Sequence, residues 1–90
     1  MALDTLPIGF DNCVVAQRVV AVVRSESNPV KRLIDAAERE GRLVDATSGR
    51  RTRSVIITDS NHVVLTHVST QTLAAKLAGG VMEEPGDERE

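Results

Sequence analysis

The stretch Asp45-Ala46-Thr47-Ser48-Gly49-Arg50-Arg51-Thr52-Arg53, followed directly by Ser54-Val55-Ile56-Ile57-Thr58, organises this chain of 90 residues. The second part is rich in β-branched residues and ends at the turn residues 59–61, which predicts a buried strand. The first part places three arginines within four residues, beside a glycine and small hydroxyl residues. Arginine suits phosphate because its planar guanidinium donates two parallel hydrogen bonds and keeps its charge. We therefore expect this stretch to bind a nucleic-acid backbone, with a solvated basic turn as the alternative.

Further strands are predicted on both sides of this stretch. Residues 62–68 are again largely apolar, so we expect a hairpin with the strand before them. Upstream, the apolar runs 8–10, 13–16 and 19–23 and the short segment 42–45 also have the character of strands. The run 19–23 is apolar at five consecutive positions, which is typical of a strand covered on both faces. In so small a chain, a second subunit is the simplest cover for the second face.

Two helices complete the predicted fold. A helix over about 28–40 has Asn28 as its expected N-cap, Pro29 at its first position and Gly41 after its end. Its apolar residues share one face at helical spacing: Val30, Leu33, Ile34 and Ala37. Ser69 or Thr70 caps a short C-terminal helix over about 70–78. The fold class predicted is α+β, a small mostly antiparallel β-sheet with one main amphipathic helix and one short helix.

Charge divides the chain into two parts. Residues 79–90 hold five acidic residues and one basic residue, a net charge of −4, whereas residues 1–78 hold ten bases and eight acids, a net charge of +2. We expect a single domain over 1–78 and a disordered acidic tail over 79–90. Because the ordered part is mildly basic, the sequence pI of about 5.6 argues little against a nucleic-acid partner.

The sequence offers little support for catalysis or for a membrane location. The single cysteine, Cys13, lies in an apolar run and is expected to be a buried, inert thiol. His62 and His67 are five residues apart on a predicted strand, so they would point to opposite faces and make a poor metal pair. No apolar run approaches the ~20 residues of a membrane span. We expect no cofactor, no metal, no small-molecule substrate and a cytoplasmic setting, and an enzyme is the least favoured class.

The residues around the arginines also resemble a known family. Residues 45–57 followed by Asp59-Ser60-Asn61-His62-Val63-Val64-Leu65 are similar to the RemA family of bacterial extracellular-matrix regulatory proteins. The likeness continues upstream at Ile8-Gly9-Phe10, Asn12, Ala16, Arg18 and Pro29-Val30-Lys31-Arg32, and downstream at Thr72, Ala74 and Leu77. It covers about residues 8–77, nearly the whole predicted domain, and is therefore far more specific than a short basic turn.

This resemblance implies a nucleoid-associated transcriptional regulator that binds double-stranded DNA as a ring-shaped homo-oligomer and controls genes for biofilm matrix. The DNA-contacting arginines of the family correspond to Arg18, Arg50 and Arg51, and Arg53 belongs to the same motif. Pro29 corresponds to a position that matters for helix start and subunit packing. The chain departs from the family pattern at Arg24-Ser25, where members often have Ser-Pro, and at Asn28, where Ala is common. Arg24 is expected either to enlarge the basic surface or to pair with Glu26.

Two other classes of function remain open at this level. One is a nucleoid-packing or RNA-binding protein with little sequence preference, although the single aromatic residue, Phe10, cannot form a base-stacking platform. The other is a protein-interaction ring whose arginines meet an acidic partner or the chain's own tail. A steep salt dependence on duplex DNA favours nucleic acid, and preference for a promoter fragment over random duplex favours a regulator.

The acidic segment leads to a first prediction. Deleting residues 80–90 should raise the affinity of the protein for random duplex DNA at low salt. The reason is that the net negative charge of the segment competes with DNA for the arginines through long-range electrostatics that salt screens. Binding titrations of the full and shortened chains at low and high salt test this, and an unchanged affinity would mean that the segment lies far from the basic surface.

Overall fold

The computed structural model describes residues 3–78 of the chain. In chain order the elements are β1 (Thr5–Gly9), β2 (Asn12–Val15), a 3₁₀ turn (Ala16–Arg18), β3 (Val19–Arg24), α1 (Asn28–Arg39), β4 (Leu43–Asp45), β5 (Ser54–Thr58), β6 (Val63–Thr66) and α2 (Thr70–Leu77). The predicted α+β class with its two helices is confirmed. The expected acidic tail, residues 79–90, lies outside the described residues.

The main sheet has four strands in the order β3-β5-β6-β4, and β1 pairs with β2 in a separate two-stranded sheet. The predicted hairpin of β5 and β6 is confirmed, with Ile56 opposite Val64 at its centre. β4 instead runs parallel to β6. The chain between β4 and β5 must therefore cross the C-terminal end of β6. This crossing segment, residues 46–53, is called the arginine loop below.

The main sheet is covered on both faces by the chain itself. One cluster of buried apolar side chains joins the sheet to β1 and α2: Leu6, Ile8, Ala46, Ile56, Val64 and Leu73. The other joins it to α1: Ala37, Val55, Val63 and Leu65, flanked by Val30, Leu33 and Ile34. Successive strand residues alternate between the two clusters, as the pleat of a strand requires. A sheet between two layers explains why the central strands are apolar at nearly every position.

The apolar run 19–23 has a different position from the one expected. It forms β3, which is an edge strand of the main sheet. Val22 packs against the cluster on one face and Val23 against the cluster on the other. The expectation that a second subunit is needed to cover one sheet face is therefore wrong, because α1 and the β1–β2–α2 layer already cover both faces. Val20 remains 67% exposed beside an irregularity in the β3–β5 pairing.

The two helices begin and end with local signals. The N-cap of α1 is Ser27, one residue before the expected Asn28, and its hydroxyl accepts a hydrogen bond from the backbone N–H of Val30 at 3.3 Å. After α1, Gly41 has φ +74°, and the backbone N–H of Arg42 donates to the carbonyl of Ala37 at 2.8 Å. This is the Schellman ending that glycine favours. Ser69 caps α2, which confirms one of the two expected caps.

Two local expectations are corrected in the first hairpin. The first strand covers Thr5–Gly9 rather than residues 8–10, and Phe10 lies in the turn after it. Cys13 is exposed, not buried. On β2 the side chains alternate, so that Val14 packs against the core while its neighbour Cys13 faces the solvent. An apolar run in a two-stranded sheet thus buries only one of its sides.

A buried threonine connects the two sheets. The hydroxyl of Thr66, at the end of β6, donates to the carbonyl of Ile8 in β1 at 2.8 Å and accepts from the backbone N–H of Val68 at 3.1 Å. Thr66 is completely buried. These two bonds satisfy backbone groups of the interior that would otherwise have no partner, and they set the distance between the β1–β2 layer and the main sheet.

This connection makes a stability prediction. Thr66→Val keeps the shape of the side chain but leaves the carbonyl of Ile8 without its donor. The free energy of unfolding should fall by about 1–3 kcal/mol, the cost of an unsatisfied buried polar group. Denaturant titration measures the loss. Thr5→Val, at an exposed position of β1, is the matched control and should leave stability nearly unchanged; equal effects of the two changes would contradict the role given to Thr66.

Candidate nucleic-acid interface

The arginine loop is fixed at both ends by β6. At its start, the backbone N–H of Ala46 donates to the carbonyl of Leu65 at 2.9 Å, and at its end the N–H of Arg53 donates to the carbonyl of Thr66 at 2.9 Å. Ala46 and Thr47 are also buried. A segment held in this way lies close to one conformation, so its side chains extend from a defined backbone.

A tight turn lies inside the loop. The backbone N–H of Arg50 donates to the carbonyl of Thr47 at 2.9 Å, and the two central residues have positive φ, +52° at Ser48 and +83° at Gly49. Positive φ at both central positions defines a type I′ turn, and glycine adopts it at little cost. The exposed residues Arg50 and Arg51 follow directly. The small residues next to the arginines therefore have a structural role.

Asp45 stabilises the entry to this turn. Its carboxylate oxygen Oδ1 accepts hydrogen bonds from the hydroxyl of Thr47 at 2.7 Å and from the backbone N–H of Thr47 at 3.0 Å. The hydroxyl bond, and then the backbone bond, hold the pKa of Asp45 below its ordinary value of 3.8 against a smaller opposing effect of burial. Asp45 is thus ionised at neutral pH and is engaged with the loop backbone.

Phe10 lies next to the arginine loop although it is far away in sequence. Its ring is 44% exposed, packs against the ring of His67 at 4.8 Å between centroids, and has the guanidinium of Arg50 over it at 5.7 Å. A cation at this distance from an aromatic face is attracted to it. Phe10 has φ +56°, which is unusual for a bulky residue. The turn after β1 thus places the only phenylalanine of the chain beneath one of the loop arginines.

Gly9 permits this arrangement. It has φ +100°, and a Cβ atom there would lie 2.4 Å from Cε1 of His67. Such a distance excludes any side chain unless the His67 ring moves. The glycine before Phe10 is therefore required both by its backbone conformation and by the close approach of the histidine.

A second group of charges lies on the other side of the loop. Arg24, at the end of β3, is paired in register with Ser54, directly after the loop. Arg24 contacts the carboxylate of Glu26 at 3.1 Å, and Arg51 contacts the same carboxylate at 3.7 Å. Arg24, Arg51 and Arg53 line one cleft together with residues at the start of α2. The basic cluster is therefore larger than the sequence motif.

Comparison with known proteins identifies the family of this chain. The family model described as RemA-like, extracellular matrix regulatory protein A-like, matches residues 5–77. The chain belongs to the RemA-like family. A relative from Clostridium botulinum is 52% identical over 90 residues, which cover 100% of this chain and 99% of the relative. Two others are 56% and 54% identical over 69 residues, one from Nitratidesulfovibrio vulgaris and one from Thermotoga petrophila, covering 77% of this chain and 78% and 75% of those relatives. All three carry the general name of a regulatory protein.

The RemA-like fold brings three of the four predicted site residues together. Arg50, Arg51 and Arg53 share the arginine loop. Arg18 is separate, because it precedes β3 whereas Arg24 ends it, and the five residue steps of this strand alone span about 17 Å. There its Nε donates to the carboxylate of Asp59 at 2.7 Å. One chain therefore does not form a continuous surface from all four arginines.

The sequence reasoning missed Phe10 as a member of this surface and the contact of Glu26 with Arg51. Phe10 had one available signal, since it is the only phenylalanine of the chain and adjoins a glycine and an Asp-Asn turn. The pair of Glu26 with Arg24 was one of the two expected roles of Arg24 and is confirmed, whereas the contact of Glu26 with Arg51 depends on the pairing of β3 with β5. Within residues 3–78, no group of three or more His, Cys, Asp or Glu side chains could hold a metal ion, and no helix is long and apolar enough to span a membrane.

The contact between Asp45 and Thr47 leads to a pH-dependent prediction. Thr47→Val removes the hydroxyl bond, so the free energy of unfolding at neutral pH should fall by about 1 kcal/mol. The folded-state pKa of Asp45 is lowered, so the stabilisation is present above its ordinary value of 3.8 and is lost as the pH falls through the folded pKa. The difference between variant and wild type should therefore shrink in acid.

Denaturant titrations between acid and neutral pH measure this difference. Thr52→Val is the matched control, since Thr52 is half-buried in the same loop and only its backbone carbonyl accepts a hydrogen bond, from Ser25 at 2.9 Å. A loss for Thr47→Val that stays constant over the whole pH range would show that the Asp45 carboxylate does not carry the effect.

Proposed function

We propose that this protein is a DNA-binding transcriptional regulator that acts as a ring-shaped homo-oligomer and holds the phosphate backbone through repeated arginines. The observation that carries the proposal is a pair of exposed arginines, Arg50 and Arg51, on a loop whose backbone is bonded to β6 at both ends. Membership of the RemA-like family and the regulatory names of the relatives support the regulatory part. The family description also makes extracellular-matrix genes the first target class to test.

Arg50 is well suited to a phosphate contact. Its guanidinium lies over the ring of Phe10, and no carboxylate pairs with it among residues 3–78. A ring face orients the guanidinium plane without neutralising its charge, so the fork remains available to an anion. Because part of the side-chain freedom is already lost, less entropy is lost when a phosphate binds.

A ring-shaped oligomer makes more phosphate contacts than one chain can make. One subunit offers only a few arginines, and proteins that make 6–10 phosphate contacts bind non-specific DNA only at ~10⁻⁴–10⁻⁶ M at physiological salt. When the arginine loop is repeated around the oligomer, each contact after the first is intramolecular. The affinity for DNA then rises without a new type of contact.

The edges of the main sheet support such an assembly. β3 and β4 are its two edge strands, and each has an exposed valine, Val20 at 67% and Val44 at 46%. Two different edges suit a head-to-tail interface, and such an interface forms a ring when the rotation from one subunit to the next closes. In this arrangement a neighbouring subunit supplies the Arg18 that a single chain holds away from its own arginine loop.

The arginine contacts make a quantitative prediction. The affinity of the assembled protein for duplex DNA should fall steeply with salt, with a log–log slope near −6 or beyond if about seven or more phosphates are neutralised. Arg50→Ala and Arg51→Ala should each reduce the magnitude of this slope by about 0.9 per engaged subunit. The loss of affinity should far exceed that of one arginine, because every engaged subunit loses the contact.

The measurement is duplex affinity between about 50 and 200 mM salt, with the mass of the oligomer determined by light scattering. Arg39→Ala is the control, since Arg39 is exposed in the last turn of α1. Its replacement lowers the net charge by the same amount as Arg50→Ala or Arg51→Ala. A promoter fragment compared with random duplex separates a regulator from a nucleoid-packing protein. Arg50→Ala and Arg51→Ala variants that assemble normally and bind with unchanged affinity and slope would refute the proposal.

A further inference from the structure

A cleft of about 390 Å³ lies beside the arginine loop. It is lined by Arg24, Arg51 and Arg53 together with Ser69, Thr70 and Gln71 around the start of α2. Its polar lining contrasts with the apolar pockets that take most small molecules. Guanidinium and amide groups are instead the donors that oxyanions accept from.

The walls of the cleft are fixed by bonds between elements that are distant in sequence. The hydroxyl of Ser25 donates to the carbonyl of Thr52 at 2.9 Å, and the backbone N–H of Ser25 donates to the carbonyl of Arg53 at 3.3 Å. The segment before α2 is tied to β5 by the hydroxyl of Ser54, which donates to the carbonyl of Val68 at 2.6 Å. The connection after β3, the arginine loop and α2 are thus held in defined positions around the cleft.

Glu26 is the only carboxylate among the described residues that line this cleft. One of its oxygens contacts Arg24 at 3.1 Å and the other contacts Arg51 at 3.7 Å. The carboxylate therefore makes two of the contacts that an external anion would make. Because Arg24 and Arg51 share one glutamate, these three side chains together keep a formal charge of +1, which favours an anion in the cleft.

We propose that the cleft is a phosphate-binding subsite and that Glu26 is its internal competitor. A phosphate that enters displaces the Glu26 carboxylate and accepts hydrogen bonds from Arg24 and Arg51. Arg24 is not among the DNA-contacting arginines that the family resemblance implies. Including Arg24 therefore extends the proposed site beyond the arginine loop. If the phosphate belongs to a DNA backbone, the proposal rests on the function proposed above; if it belongs to a free phosphate compound, it stands independently.

The energetics favour exchange over a permanent ion pair. All three partners are well exposed, with side-chain exposures of 74% for Arg24, 77% for Arg51 and 62% for Glu26. Exposed ion pairs contribute little to folding stability. Removing the glutamate charge should therefore leave the fold intact, while a phosphate gains charge-assisted hydrogen bonds from the same guanidinium groups.

The test compares Glu26→Gln with Glu40→Gln in the full chain. Glu40 is the matched control, because it also pairs with an arginine, Arg42, at 2.7 Å, and lies about 18 Å away beyond the 12 residues of α1. The probes are a random DNA duplex and inorganic pyrophosphate, titrated separately. Glu26→Gln should tighten binding of at least one probe by about two- to fivefold, the effect of releasing one exposed ion pair, and Glu40→Gln should not.

The two probes identify the source of the phosphate. Tighter duplex binding with a steeper salt slope indicates the DNA backbone, and tighter pyrophosphate binding alone indicates a free phosphate compound. Adding Arg24→Gln to Glu26→Gln should abolish the gain. Unchanged affinity for both probes, an equal gain in Glu40→Gln, or a gain that survives Arg24→Gln would overturn the proposal. A protein that ignores duplex DNA but shows the pyrophosphate effect would refute the proposed function and leave the subsite in place.

Discussion

The parallel pairing of β4 with β6 is the constraint on which this molecule depends. β5 runs antiparallel to β6 on its other side, so the chain must cross the C-terminal end of β6 between β4 and β5. The crossing segment is the arginine loop, and β6 binds it through the carbonyls of Leu65 and Thr66. The same strand pairing that builds the sheet therefore fixes the backbone from which the arginines extend, so scaffold and candidate site cannot be separated.

The layers around the sheet allow so small a chain to form a core from aliphatic side chains. α1 covers one face and the β1–β2 hairpin with α2 covers the other. Thr66 contributes both to the packing of the layers and to the position of the arginine loop. Its hydroxyl donates to β1, and its carbonyl accepts from the backbone of the loop. A change in the packing of the β1–β2 hairpin should therefore affect the loop through Thr66. The same hairpin also places Phe10 next to the loop.

The arginines differ in how their charges are engaged. Arg50 lies over an aromatic ring, Arg51 shares Glu26 with Arg24, and Arg18 is bonded to Asp59. An aromatic partner leaves the positive charge uncompensated, whereas a carboxylate partner must be displaced before a phosphate binds. Of these four arginines, Arg50 is therefore the one whose charge no carboxylate of residues 3–78 compensates.

The sequence alone determined the hairpin of β5 and β6, the apolar face of α1, the start of α2 to within one residue, the class of the fold and the membership of the family. These features arise from neighbouring residues, through strand alternation, helical spacing and capping. The sequence also located the arginine cluster, because its members are adjacent in the chain. Only the tertiary structure decided that Cys13 is exposed, that the chain covers both sheet faces itself, and that Arg18 lies apart from the loop. It also decided which residues join Arg50 and Arg51, because Phe10 and Glu26 reach them through strand pairing and layer packing, which no local pattern encodes.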